Sequence, residues 1–351
     1  MARFSSELIE VPRRLDEALD PHWLTRALAL AIDGATVRAV ETVEVIRTVA
    51  TKVRFTVALD GARQNKQAFC LKGLLDVNAD MARGGAVTVL EADFYSELAP
   101  LLSVRVPDCV VTVVDRKAQF GVVIMRDLIA QGARFCSAME AFSVEEAAQS
   151  LEQLCRLHTG GVNLDKYPWL TRRVASFARG TYVPVPTLQQ LLDGPRGEGL
   201  PSRTRNAQLL MQSMQALAEL GATWPEVLVH GDSHAGNIFR TEEGPGLIDW
   251  QVLQRGGWAL DVAYHIAAAL PVELAETSER TLLKHYLDSV RRFGGTVPGE
   301  DEAWKQYRAA MVYGYYLWSI TRRVEPDIVN VFVNRLGQAV TRHDSFRLLG
   351  A

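Results

Sequence analysis

Apolar positions recur first at helical spacing. Residues 14–32 read as one helix, with Leu15, Ala18, Leu19, Leu24, Ala27 and Leu28 giving an imperfect apolar face around Pro21. The period then changes to two. Val37 to Thr48 and Lys52 to Leu59 are rich in β-branched residues, Asp60-Gly61 is a hairpin signal, and Gln67 to Leu74 completes a third strand. A helix follows over about Ala86 to Leu98, burying Val89, Leu90, Ala92, Phe94, Tyr95 and Leu98. Val110 to Val114 and Phe120 to Met125 then read as a hairpin around Asp115-Arg116-Lys117.

The second half is mostly helical. Ser143-x-x-Glu146 is a capping box opening a helix in which Ala147, Leu151, Leu154, Cys155 and His158 share a face until Gly160-Gly161 stops it. Asn206 to Leu220 is a second helix, ending at Gly221. A helix starting near Gly256 to Tyr264, and others over about 276–293, 302–323 and 327–349, finish the chain. No internal repeat or low-complexity tract interrupts this order.

Composition narrows the class. A chain of 351 residues is long enough for two lobes, and 48% hydrophobic with 23% charged residues carries no signature of disorder. A net charge of -3 gives no reason to expect nucleic-acid binding. The four cysteines, Cys70, Cys109, Cys136 and Cys155, form no C-x-x-C pair and suit free thiols in a reducing compartment. The N-terminal stretch lacks the apolar core of a signal peptide, and Val262 to Leu274 is too short to span a bilayer and is broken by His265 and Pro271. A cytoplasmic enzyme without a membrane span is expected.

Candidate chemistry concentrates between His230 and Trp250. The apolar run Val227-Leu228-Val229 reads as a strand, Gly231 and Gly236 interrupt any helix, and Ile238-Phe239-Arg240 resumes extended structure before a turn at Gly244-Pro245-Gly246. Asp232 precedes Asn237 by five residues, so a single tight loop can aim a carboxylate at an attacking hydroxyl while offering an amide oxygen to a cation. Asp249 closes the run Gly246-Leu247-Ile248 and supplies a second hard oxygen ligand.

His230-Gly231-Asp232-x-His234-x-x-Asn237 with Ile248-Asp249-Trp250 resembles the signature of the aminoglycoside phosphotransferase and choline kinase-like superfamily. The resemblance covers roughly residues 35–345 and implies an α+β, bilobal protein kinase-like fold. A small lobe over 1–126 would carry a five-stranded antiparallel sheet with one helix, and a larger helical lobe over 127–351 would hold the catalytic loop and acceptor pocket.

It also implies a kinase using ATP and Mg2+ on a hydroxylated small molecule. Asp232 would orient the acceptor hydroxyl or take its proton, and Asn237 and Asp249 would hold the magnesium. Lys72, on a strand, would lie under the α- and β-phosphates; the alternative is a solvated lysine at a strand end. Glu91 matches the family position for its ion-pair partner, with Glu97 as competitor. Met125 and Arg126 mark the hinge that would hold the adenine through backbone groups, with Asp127 anchoring it. His230 and Asp261 would support the loop, His234 would lie near the acceptor, and His158 reads as a packed or capping residue.

One departure concerns the phosphate-covering loop. Arg47 to Lys52 contains no glycine, leaving Thr51 to offer its hydroxyl and N–H to the nucleotide. Two rival classes follow: a metal-dependent hydrolase using His230, His234 and Asp232, and a kinase-shaped binding or regulatory protein without catalysis.

For the acceptor, residues 262–351 hold ten acids against eleven bases, a balance that disfavours a polycationic aminoglycoside. Trp304, Tyr307, Tyr313, Tyr315, Tyr316 and Trp318 are available for a choline-type cage but stand at spacing usual for a core. The overall pattern looks most like uncharacterised bacterial phosphotransferases of the superfamily, which directs the expectation to a lipophilic alcohol or a hydroxyacyl-CoA.

Overall fold

The computed structural model describes residues 9–47, 50–60, 66–77 and 84–351. Gly61 of the expected hairpin turn and Thr48-Val49 of the glycine-free loop lie outside the described residues. The chain divides into two compact units: Met1–Leu102 with Val106–Arg134 and Asp249–Gln251, and Ser103–Arg105 with Phe135–Ile248 and Val252–Ala351. The peptide between Ile248 and Asp249 is thus one crossing point.

The first unit opens with two short helices, α1 (Leu15–Ala18) and α2 (Pro21–Leu28). The single helix read over 14–32 is therefore corrected. Asp20 caps α2 by accepting the Trp23 N–H and Pro21 occupies its first turn, so the chain restarts there rather than continuing. Five antiparallel strands follow: β1 (Val37–Arg47), β2 (Thr51–Leu59), β3 (Gln67–Gly73), β4 (Cys109–Asp115) and β5 (Phe120–Arg126), in the order β1-β2-β3-β5-β4. Strict alternation along β2 buries Val53, Phe55, Val57 and Leu59 against Leu24, Ala27 and Leu28 of α2, which makes the core of this unit.

Helix α3 (Gly85–Asp93) continues as a wider π-helical turn over Phe94–Leu98, where a uniform α-helix was expected. It lies close to β5. The Gly121 N–H donates to Thr88 Oγ1 at 2.9 Å, and a Cβ on Gly121 would stand 2.8 Å from the Thr88 carbonyl oxygen. That close approach packs α3 on β5, and Glu91 near its end reaches Lys72 on β3.

The second unit is built on α4 (Val144–His158), α5 (Arg173–Ala178), α6 (Val185–Asp193) and α7 (Ala207–Gly221). The capping box at α4 has both of its bonds, Ser143 Oγ to the Glu146 N–H at 3.1 Å and Glu146 Oε2 to the Ser143 N–H at 2.9 Å. Strand β6 (Val227–Val229) pairs with β9 (Gln254–Gly256), and β7 (Ile238–Thr241) with β8 (Gly244–Leu247). Then come α8 (Ala259–Ala269), α9 (Val272–Arg292), α10 (Glu300–Ile320), α11 (Pro326–Arg342) and α12 (Ser345–Leu348). A continuous helix over 327–349 is corrected here too, because Asp344 at φ 49° breaks it.

All eleven residues of α8 are buried, Asp261 and His265 among them. Gly314 on α10 faces α8, where a Cβ would come 2.6 Å from the Tyr264 ring. The hydrogen at that position lets the two helices close on each other.

Candidate active site

The loop His230–Asn237 leaves β6 under tight control from α8. Asp261 Oδ2 accepts the His230 N–H at 2.7 Å, and Oδ1 accepts the Gly231 N–H at 2.8 Å. His158 Nε2 donates to Oδ2 at 3.0 Å, with its Nδ1 2.7 Å from the Tyr286 hydroxyl. Burial works against the Asp261 charge, but these donors outweigh it and hold the carboxyl below its ordinary range. Asp261 therefore orients loop backbone and does not cap its own helix. Gly231 has φ +81°, and a Cβ there would meet the Val252 carbonyl oxygen at 2.4 Å.

Downstream the loop ties itself together. His230 Nδ1 accepts the Asp232 N–H at 3.1 Å, so its proton sits on Nε2, which donates to the Ile248 carbonyl at 2.9 Å. His265 Nδ1 donates to the Ser233 carbonyl at 2.8 Å, and Ser233 Oγ to the Asp261 carbonyl at 2.9 Å. His234 Nδ1 accepts the Gly236 N–H at 3.0 Å and its Nε2 stands 3.5 Å from Asp232 Oδ2. With both nitrogens of His230 committed to backbone, the hydrolase reading loses a ligand. Among the described residues no group of three His, Cys, Asp or Glu side chains is arranged to hold a metal.

Asp232 is fixed at both oxygens. Asn237 Nδ2 donates to Oδ2 at 3.1 Å and to the Asp232 carbonyl at 2.8 Å, and the Tyr264 hydroxyl donates to Oδ1 at 2.9 Å. Because the amide nitrogen of Asn237 is engaged, Oδ1 is that side chain's remaining ligand atom, a hard donor suited to magnesium. The Ile248 N–H donates to the Asn237 carbonyl at 3.0 Å, so the hairpin holds Asn237 and Ile248 opposite one another. Asp249 is the next residue.

Within the first unit Asp249 meets the strand lysine. Lys72 Nζ lies 2.8 Å from Glu91 Oε2 and 2.9 Å from Asp249 Oδ1, with Lys72 5% and Glu91 3% exposed. Burial alone would lower the ammonium, but the Asp249 and Glu91 charges more than offset it and hold its pKa above the ordinary value. Burial and the Asp249 charge push the Glu91 carboxyl up, against the pull of Lys72. Asp249 has φ 67°, and the Trp250 N–H reaches Glu91 Oε1 at 3.4 Å while its ring stacks on Phe94 at 3.7 Å. Glu97 faces Arg116 at 3.8 Å instead.

Other candidate positions are placed differently. The Thr51 hydroxyl donates to the Leu75 carbonyl at 3.1 Å in the interior, whereas Lys52, not singled out by the sequence, has Nζ 4.0 Å from Asp249 Oδ2. Met125 is buried in β5; the Arg126 N–H donates to the Asp108 carbonyl at 2.9 Å, and its guanidinium reaches Gln67 and the Phe69 ring. Asp127 pairs with Arg54 at 3.0 Å and accepts the Ile129 N–H, a local brace. Tyr264 was also missed, although three residues after Asp261 is the same helix face.

Residues 88–297 match the model of the phosphotransferase enzyme family. The chain belongs to that family. No curated protein matches the sequence. Among solved structures, a putative aminoglycoside phosphotransferase from Ralstonia eutropha is 14% identical with TM-score 0.55, over 94% of this chain and 99% of that one. LicA in complex with AMP is 15% identical with TM-score 0.53, over 91% and 95% of the two chains. An ethanolamine kinase from Plasmodium vivax is 16% identical with TM-score 0.51, over 87% and 81%. At such identities the likeness speaks for the fold alone, a protein kinase-like one. With the family match, the protein is a small-molecule phosphotransferase, and no described helix is long and apolar enough to cross a membrane.

Proposed function

We propose that this phosphotransferase is a magnesium-dependent kinase that moves the γ-phosphoryl group of ATP onto a hydroxyl of a small metabolite. The observation that carries the reading is Asp232, held at both carboxylate oxygens by neutral donors at the head of its loop. Such a carboxylate is a fixed acceptor for a hydroxyl proton. In a loose phosphoryl-transfer transition state, alignment of the nucleophile is the main task left to the protein.

Asn237 and Asp249 are assigned the metal, Lys72 the α- and β-phosphates and Glu91 the orientation of Lys72; the adenine is assigned to the backbone around Met125 and Arg126. When bound, magnesium neutralises charge on the transferring phosphates. AMP in the structure of LicA supports nucleotide use by this fold. The hydroxyl of Thr51 has no part in this assignment, and Lys52 takes its place beside the phosphates.

For the acceptor we favour a lipophilic alcohol or a hydroxyacyl-CoA over an aminoglycoside or a choline-type amine. Three of the aromatic residues that a cationic headgroup could use, Tyr307, Tyr313 and Tyr315, are fully buried, with their hydroxyls turned to other protein groups. Tyr313 donates to the Gly231 carbonyl at 2.8 Å, Tyr315 to the Thr204 carbonyl at 3.0 Å, and Tyr307 faces Glu279 at 3.5 Å.

The test is ADP release on addition of hydroxylated metabolites, comprising sterols, long-chain alcohols, hydroxyacyl-CoAs, aminoglycosides and choline, with and without magnesium. Acceptor-dependent release that requires the metal and disappears in Asp232→Ala is expected. Nucleotide binding that ignores the metal, with no release on any acceptor, would instead mark a kinase-shaped binding protein.

A further inference from the structure

Within the second unit, Tyr264 and Trp318 extend the hydrogen bonding of Asp232 inward. The Trp318 indole N–H donates to the Tyr264 oxygen, and Tyr264 donates to Asp232 Oδ1. An indole nitrogen can only donate. Its bond therefore fills an acceptor site on the tyrosine oxygen and leaves the phenolic proton to point at the carboxylate, which can only accept. Burial and the Asp232 charge hold the Tyr264 hydroxyl well above its usual pKa, so it keeps its proton.

We propose that Trp318 and Tyr264 form a one-way donor relay that fixes the rotation of the Asp232 carboxylate, making Tyr264 a positioning residue for phosphoryl transfer. The proposal rests on the kinase reading above. Oδ1 is held by Tyr264 from α8, and Oδ2 by Asn237 from the loop itself. Two anchors on opposite oxygens stop the carboxylate turning about its Cβ–Cγ bond, so the lone pair offered to an acceptor hydroxyl keeps one direction.

The surroundings are built to hold the relay in place. Gly314 admits the Tyr264 ring against α10, and Trp318 stands one helical turn further along the same helix. Phe332 of α11 packs on the Trp318 ring at 4.2 Å, and His234 meets it edge-on at 5.1 Å. Tyr264 is fully buried and Trp318 is 5% exposed, so neither side chain has water as a substitute partner.

The experiment combines kinetics with the indole N–H signals of a 15N-labelled protein. Tyr264→Phe removes one oxygen and keeps the ring. It should lower kcat about 10- to 100-fold while leaving KM for ATP within about twofold, since a misaimed nucleophile slows transfer without touching the nucleotide. Trp318→Phe should lower kcat less, and the double variant should be no slower than Tyr264→Phe, because the two act in series. The Trp318 indole resonance, identified by its loss in Trp318→Phe, should shift in Tyr264→Phe.

An unchanged kcat in Tyr264→Phe, additive losses in the double variant, or an indole resonance that ignores Tyr264 would each overturn the relay. If Tyr264→Phe does not fold, Trp318→Phe alone decides by the same split between kcat and KM. Failure of the kinase reading is seen separately, as absent turnover in the unaltered enzyme, while the indole shift still reports on the hydrogen bonds.

Discussion

Lys72 and Asp249 are joined by a 2.9 Å ion pair, and on the other side of the same ammonium lies Glu91 at 2.8 Å. One cation thus serves two carboxylates. If Lys72 is removed, Glu91 and Asp249 face each other with only the more distant Lys52, 4.0 Å from Asp249 Oδ2, as countercharge, and Glu91 does so at 3% exposure. Lys72→Met should therefore destabilise the protein by about 3 kcal/mol, the usual cost of breaking a buried pair from one side. It should also raise KM for ATP at least about tenfold, since the phosphates lose their fixed cation. Thermal melting and ATP titration check the two effects separately, and an unaltered KM would move the phosphate role to Lys52.

Asp232 makes the opposite kind of prediction. Its bonds to Asn237 and Tyr264 are both accepted by the carboxylate, and in Asp232→Asn one of them survives on the amide oxygen. The melting temperature should stay close to that of the unaltered protein. Turnover should nevertheless fall by roughly 10²- to 10⁴-fold, the range usual for loss of a positioned acid–base group. Retained turnover on the best acceptor would remove Asp232 from the chemistry.

Interactions carried within a few residues were legible in the sequence, and those carried across the chain were not. The five-residue spacing of Asp232 and Asn237 places both in one loop, and their side chains bond to each other at 3.1 Å. The capping box at Ser143 and the alternation of β2 are equally local. Alternation also determines that Thr51 shares a face with Val53 and Phe55 while Lys52 does not, so the inward turn of Thr51 follows from the sequence. Asp20-Pro21 carried a start signal inside what was read as one helix. By contrast, Lys72 is paired to Glu91 rather than Glu97 by the packing of α3 on β5, and Tyr264 reaches Asp232 across 32 residues. Helices α5 and α6 span six and nine residues, too few for a periodic pattern to stand out.

Asp261 should matter for folding more than its distance from any substrate suggests. Its two oxygens take the N–H groups of His230 and Gly231, and an amide in its place offers only one acceptor and turns a donor toward the other N–H. Asp261→Asn should cost at least about 3 kcal/mol, given charge-assisted bonds to two buried donors. Hydrogen exchange should show the protection of the His230 and Gly231 amides falling first. Full protection in the variant would mean that the loop is held by β6 and β9 without help from α8.

His265 gives the molecule a dependence on acid whose sign can be worked out. It is 1% exposed, and burial pushes its pKa from 6.5 down to about 4. Its Nδ1 donates to the Ser233 carbonyl, a bond that the neutral ring makes unaided. Between those two values an unfolded chain takes up a proton that the folded chain refuses, so unfolding gains as the pH falls. The contribution is fully favourable to the fold above pH 6.5 and is lost progressively toward pH 4, amounting to about 3 kcal/mol. Chemical denaturation from pH 7 to pH 4 should show this decline. In His265→Gln, whose side-chain amide can still donate to Ser233, the same series should be flatter by about one bound proton. An equally steep decline in the variant would assign the acid sensitivity to other groups.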